Sequence, residues 1–402
     1  MKPLAITAAQ VLTPLETIED GVVLIEDHAI RAVGPRREIA IPPAARTVAL
    51  PDKILAPGFV DIHIHGAAGH DVMEATPEAL AAVAAFVVRH GTTSFIPTTL
   101  SAPPDVLLPS LEGLSKTIRS WKNGPAPGSA STALLAEPLG IHLEGPFLSV
   151  DCRGVHPREY LQPPSLRLFD QMFAAAGGSV RILTLAPELD GASELQTAAI
   201  ARGVRVSIGH SDASYEQAIR SIDAGSAHAV HVFNAMRPFA HREPGILGAI
   251  LTDDRVFAEV IADGVHVAAP ALRLLLRSKT PQRIALVTDG ISAAGMPHGK
   301  HRLGGLEILV AADANGRIAC RNREGKLAGS ILTQDHAVQN MIRLAGVTLR
   351  EAVLMASYVP AQMAGVGDRK GSLLPGFDAD LAVLNTNGTV SGMMANGWSD
   401  FC

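Results

Sequence analysis

Two histidines one residue apart, His63 and His65, close the apolar run PGFVDIHIH and are followed at once by glycine. Alternate residues of an extended segment face the same side, so both imidazoles would project together from the tip of a buried strand. Buried imidazoles without partners are costly, and a divalent cation is one partner that relieves the cost. Five further segments carry groups of the same kind at or near their ends. Glu144 closes LGIHLEG, His210 closes VRVSIGH, His231 lies in AVHVFNAM, Asp263 and His266 end FAEVIADGVH, and Asp289 ends IALVTDG.

A lone histidine at a strand end is ordinarily a hydrogen-bonded core residue. His63, His65, His210 and His231, with Glu144 and Asp289, together point instead to a shared metal centre. Glu144, His210 and His231 would supply three protein ligands and leave one coordination position for water. His63 and His65 would hold a second ion beside the first, with Glu144 or Asp289 bridging. The expected cofactor is therefore one or two divalent ions, zinc or iron. A cation there lowers the pKa of bound water and readies it for attack on a carbonyl. Asp289 would be the general base, later passing the proton to the leaving amine.

Such a centre needs strands that converge. Eight short apolar runs, GFVDIHIH, SFIPTT, LGIHLEG, VRILTLAPE, VRVSIGH, AVHVFNAM, FAEVIADGVH and IALVTDG, alternate with helical patterns such as SYEQAIRSIDAG, APALRLLLRS and LREAVLMASYVPAQMAG. This spacing predicts an α/β chain folded as a (β/α)8 barrel of the TIM type, whose strand ends build a site on one face. No GxGxxG follows the first strand, which argues against a doubly wound sheet. Thr76 before Pro77 and Glu78 reads as a helix N-cap, and Gly91 as the stop of the same helix. Residues 1–55 and the segment DADLAVLNTNGTV near the other end are β-rich with turn residues between. They predict a small β-sandwich domain formed by both chain ends: 1–55, the barrel over 56–365, then 366–402. The stretch KNGPAPGSASTALLAEP reads as an exposed loop, and HRLGGLEILVAADANGRIACRNREGKLAGS as an insertion of hairpin character after the eighth strand.

The whole chain is consistent with this. Its 402 residues are too many for one small core, and 47% hydrophobic residues with few aromatics fit a helix-rich α/β enzyme. A net charge of −5 without a basic block gives no sign of nucleic acid or of an anionic membrane as partner. Cys152, Cys320 and Cys402 form no CxxC pair, and no apolar run reaches membrane-spanning length, so a cytoplasmic location is expected.

The segments PGFVDIHIHG, HLEGPFL, GVHP, IGHSDA, HVFNAM, HREPGILGAIL, IADGVH, LVTDGISAAG and LAGS, in this order, resemble the N-acetylglucosamine-6-phosphate deacetylases of the amidohydrolase superfamily. The resemblance implies a metal site of Glu144, His210 and His231 with Asp289 as acid and base. It implies substrate contacts from Val155, His156, Asn234, Ala235, Arg242, Asp263, His266, Leu327, Ala328 and Gly329. It also implies a small amino-sugar phosphate as partner and a homodimer, with the phosphate end of the pocket near the second subunit. Arg242 and His266 would offer donors to that phosphate, and arginine can do so bidentately. Gly290, where the resemblance has alanine, would loosen the turn after Asp289. Two other functions remain open at this level: a deacetylase of N-acetylgalactosamine 6-phosphate or an aminoacylase on the same scaffold, and a non-catalytic binding protein.

Overall fold

The computed structural model describes residues 3–121, 134–314 and 316–401. All eight expected barrel strands are present: β1 (Phe59–Ile64), β2 (Thr92–Thr99), β3 (Ile141–Glu144), β4 (Val180–Leu185), β5 (Arg205–Ile208), β6 (His228–Ala229), β7 (Phe257–Val260) and β8 (Ile284–Leu286). Each pairs in parallel with the next. Closure of β8 onto β1 is made by the segment just past β8. The Asp289 N–H donates to the His63 carbonyl at 2.9 Å, and the His65 N–H to that of Gly290 at 2.7 Å. The barrel is therefore stitched shut at the chemistry-bearing residues themselves. Strand interiors such as Ile62, Leu143, Leu183, Val206, Ala258 and Leu286 are almost wholly buried, as parallel strands covered by helices require.

Helix ends follow their sequence signals. The Thr76 hydroxyl accepts from the Ala79 N–H at 3.2 Å and starts helix Pro77–Val88, and Gly91 follows it at φ +91. LREAVLMASYVPAQMAG reads as one helix but forms two, Leu349–Ala356 and Tyr358–Ala364. Pro360 has no N–H to give and its ring crowds the preceding turn. The chain breaks at Ser357, whose hydroxyl instead donates to the Val353 carbonyl at 2.6 Å.

Both chain ends meet in one seven-stranded sheet, drawn from residues 4–57 and 381–399. Along its strands Ala5, Val22 and Leu24 pack on one side and Ile6, Val23 and Ile25 on the other, so both faces are covered. The insertion after β8 is three antiparallel strands, Gly299–Leu303, Leu306–Ala312 and Ile318–Asn322. The expected loop 122–138 lies outside the described residues as far as residue 133, as does Cys402. Among the described residues no helix is long and apolar enough to cross a membrane.

Candidate metal centre and active site

The side chains expected at the strand ends meet. Nε2 of His210 and Nε2 of His231 lie 3.1 and 3.0 Å from Oε1 of Glu144 and 3.1 Å from each other. On the other side of the same carboxylate, His65 Nε2 is 3.2 Å from Oε2 and His63 Nε2 is 3.4 Å from Oε1. Asp289 Oδ1 is 3.2 Å from His65 Nε2 and 3.7 Å from His63 Nε2. Glu144 thus stands between two pairs of imidazoles. All six side chains are buried.

Their backbone explains how they are aimed. Short β5, β6 and β8 leave the ladder two or three residues before the functional side chain, and His210, His231 and Asp289 have φ of +46, +21 and +49. Non-glycine residues rarely adopt this region, and its strain is found where surrounding structure fixes a side chain for use. AVHVFNAM reads as a long strand, yet only its start pairs. Beyond His231 the chain turns at Phe233 and Ala235, both at positive φ.

Hydrogen bonds behind the rings settle which nitrogen faces inward. Nδ1–H of His65 donates to the Thr98 carbonyl at 3.0 Å, and that of His210 to the Cys152 carbonyl at 2.9 Å. Carbonyls only accept, so the proton sits on Nδ1 and the Nε2 lone pair points into the site. His156 is arranged in reverse. Its Nδ1 accepts from the Ser101 N–H at 3.3 Å, which places the proton on Nε2, 3.4 Å from Glu144 Oε2. Groups of Glu144 with His63 and His65, and with His156 and His210, have the proximity to hold an ion. The tautomer makes His156 a donor into the cavity rather than a ligand.

Charge in the site is strongly biased. Burial opposes ionisation of Glu144, but the surrounding histidines, His63 first, hold its carboxyl well below the usual range. Burial also opposes the charged form of Asp289, and its contacts with His65 and His63 outweigh that and lower it. Against burial, Asp289 and Glu144 raise His65 to about 9, and Glu144 raises His63 well above its ordinary value. Burial, with the neighbouring His231 and His156, outweighs Glu144 and pushes His210 down to about 4, leaving it neutral. The cluster therefore demands positive charge, which a divalent cation supplies in place of the protons on His63 and His65. Two carboxylates and four imidazoles, those of His65 and His210 with their Nε2 lone pairs inward, are a donor set suited to zinc or another first-row ion.

The centre opens into a cavity of about 150 Å³ whose lining includes Val155, His156, Asn234, Ala235, His266, Leu327 and Gly329. Past His156 it adjoins a cleft of about 890 Å³. Three expected contacts lie elsewhere. Ala328 is fully buried in the cluster under the insertion, because its side chain packs with Ile291 and Cys320. Asp263 faces a neighbouring cavity and serves His266, accepting from its Nδ1 at 2.6 Å and from its N–H at 2.7 Å. Despite burial, this carboxylate raises the His266 pKa. Arg242 is exposed at a loop tip, 3.0 Å from His241, and does not reach the cavity of its own chain. Gly290 does not loosen its turn, since its carbonyl accepts from both the His65 and Gly66 N–H groups.

Sequence reasoning missed Ser101, His142 and Glu259. His142 is wedged under His63 with rings 4.7 Å apart, its Nε2 accepting from Thr184 Oγ1 at 2.8 Å. Glu259 lies 3.2 Å from His63 Nδ1. A charged residue inside the apolar run FAEV was the available signal.

Residues 54–399 match the family model described as the amidohydrolase family. The N-acetylgalactosamine-6-phosphate deacetylase of Escherichia coli O157:H7 is 38% identical over 94% of both chains. The N-acetylglucosamine-6-phosphate deacetylase of Bacillus subtilis (strain 168) is 35% identical over 94% of this chain and 92% of its own. A mutant N-acetyl-D-glucosamine-6-phosphate deacetylase from Mycobacterium smegmatis, solved with N-acetyl-D-glucosamine-6-phosphate, superposes with a TM-score of 0.89 at 33% identity over 99% of each chain. This chain belongs to the amidohydrolase family and, within it, to the N-acetylglucosamine-6-phosphate deacetylases.

Proposed function

We propose that this chain hydrolyses the acetamide of N-acetyl-D-glucosamine 6-phosphate to D-glucosamine 6-phosphate and acetate. The observation that carries the reading is the meeting of Glu144, His210 and His231 within 3.0–3.1 Å of one another beside Asp289. Glu144, His210 and His231 hold one divalent ion, and His63 and His65 with Glu144 hold a second; zinc or iron suits both. When bound, the cation acidifies water and polarises the amide carbonyl.

The protein's own groups do the rest. Asp289 Oδ1, kept ionised, takes the proton of the attacking water and gives it to the departing sugar nitrogen. His156 donates from Nε2 toward the acetyl carbonyl, where negative charge grows in the transition state. His266, its positive form favoured by Asp263, binds the phosphate together with Asn234 and Ala235 at the turn beyond His231. Leu327 and Gly329 close the cavity over the sugar and exclude water.

Arg242 reaches a phosphate only if two copies associate so that Arg242 of the partner subunit faces this cavity. Phe239, 57% exposed on the same loop, offers apolar surface for that contact, which supports a homodimer. A cytoplasmic location accords with the free thiols of Cys152 and Cys320. The galacto epimer is a second reading, favoured by the relative from Escherichia coli O157:H7.

Acetate release from N-acetylglucosamine 6-phosphate, its galacto epimer and unphosphorylated N-acetylglucosamine tests the assignment. The gluco phosphate should give the highest kcat/KM. Removal of the phosphate should cost roughly 10- to 100-fold, the worth of charge-assisted hydrogen bonds of about 1.5–3 kcal/mol. A preference for the galacto epimer selects the second reading, and equal turnover without phosphate rejects both.

A further inference from the structure

Glu259 is a carboxylate in the interior of the barrel, carried on β7 opposite Ala285 of β8, with none of its surface exposed. Its Oε2 lies 3.2 Å from Nδ1 of His63. Its Oε1 has no hydrogen-bond partner among the described residues. Among those residues its one ion-pairing partner is His63. A buried carboxylate so poorly matched by its own surroundings is expensive to keep.

The other imidazoles of the centre are not treated this way. His65 and His210 give their Nδ1–H to neutral backbone carbonyls, and Nδ1 of His231 has no partner among the described residues. Among the described residues, a carboxylate stands behind one histidine of the centre only. Because a carboxylate accepts, the bond puts the proton on Nδ1 and directs the Nε2 lone pair of His63 toward His65 Nε2, 3.3 Å away, and Glu144 Oε1. A carboxylate behind an imidazole fixes the ring and makes its free nitrogen a better ligand; loss of such a partner typically costs 10- to 100-fold in metal affinity.

We propose that Glu259 is a positioning residue that orients and strengthens His63, and so controls whether the His63/His65 subsite takes up a second divalent cation beside the one at Glu144, His210 and His231. The proposal rests on the reading that His63 and His65 hold an ion. It gives the buried carboxylate of Glu259, whose Oε1 has no hydrogen-bond partner among the described residues, a purpose.

The test is a titration of the metal-free full-length protein with Co²⁺, followed by visible d–d absorption and by metal analysis of the dialysed product, for wild type, Glu259→Gln, Glu259→Asp and His63→Ala. Wild type should bind two equivalents. Glu259→Gln keeps the size and the acceptor but not the charge, so it should bind the first equivalent as wild type does and the second at least 10-fold more weakly. Glu259→Asp, which keeps the charge but draws it back, should weaken the second equivalent by less. His63→Ala should bind one equivalent. Unchanged affinity for the second equivalent in either folded Glu259 variant overturns the proposal and leaves the subsite standing. Equal stoichiometry in wild type and His63→Ala overturns the subsite itself, and the proposal with it.

Discussion

Two roles proposed for Asp289, proton transfer and metal ligation, separate experimentally. Its carboxylate contacts His65 at the edge of the metal centre, and its side chain, 13% exposed, is the part of the cluster most open to the cavity. If its work is to move a proton, Asp289→Asn should lower kcat by roughly 10²- to 10⁴-fold, the usual worth of a positioned acid–base group. Metal content measured on the same preparation should stay at the wild-type level. A fall in bound metal parallel to the fall in kcat would assign Asp289 to ligation instead. Glu144 should behave in the opposite manner. Among the described residues it is the one side chain within 3.4 Å of five imidazoles, so Glu144→Gln should strip the metal as well as the activity. Retention of a full complement of metal by that variant would contradict its place at the centre.

The strand ends are the element that makes the site, and the loops just beyond them hold it in shape. Gly329 lies at φ +57, and a Cβ there would come within 2.3 Å of the Ile291 side chain and 3.0 Å of the Asp289 carbonyl. Gly329→Ala should therefore cost about 1–3 kcal/mol by denaturant unfolding and should lower kcat by displacing the turn at Asp289. Gly290 has ordinary backbone and meets nothing closer than the Thr288 hydroxyl at 3.1 Å, so Gly290→Ala should cost less than about 1 kcal/mol. Equal effects of the two would undo this account of the turn. These elements were largely legible in the sequence. Period-two alternation ending in His, Glu or Asp marks a strand whose tip faces a common space, and all eight runs became barrel strands. Contacts governed by tertiary packing were not legible. LAGS gives no sign that Ala328 turns into the core while Leu327 and Gly329 face the cavity, nor HREPG that Arg242 points to solvent. Ser101 and Glu259 act on His156 and His63 across 55 and 196 residues, a distance over which no local pattern carries information.

At the scale of the whole molecule, the terminal sheet is fastened to the barrel by a buried ionic cluster. Lys370 Nζ, with almost no exposure, lies 2.8 Å from Glu137, 3.0 Å from Asp378 and 2.6 Å from Asp380, while Arg369 pairs with Glu137 and Asp378 at 2.7 and 2.6 Å. Glu137 belongs to a short segment paired with β2, and Asp380 immediately precedes the sheet strand Leu381–Leu384. Burial raises the Glu137 pKa, but Arg369 and Lys370 outweigh it and bring it from 4.5 to about 2. A carboxyl lowered in the folded state stabilises it fully above its unfolded pKa and loses that contribution as pH falls through the folded one. The advantage of wild type over Glu137→Gln should thus be roughly 3–5 kcal/mol at neutral pH and should shrink between about pH 4.5 and 2, as read by denaturant unfolding. A gap independent of pH would exclude the ion pairs as its source. The proposed function gives the barrel so anchored one central task, to bring distant side chains around a divalent cation. Acetate release from N-acetylglucosamine 6-phosphate, measured before chelation, after it and after return of metal, tests that task most directly. The account predicts that turnover disappears with the metal and returns with it; undiminished release from protein shown by metal analysis to be metal-free would contradict it.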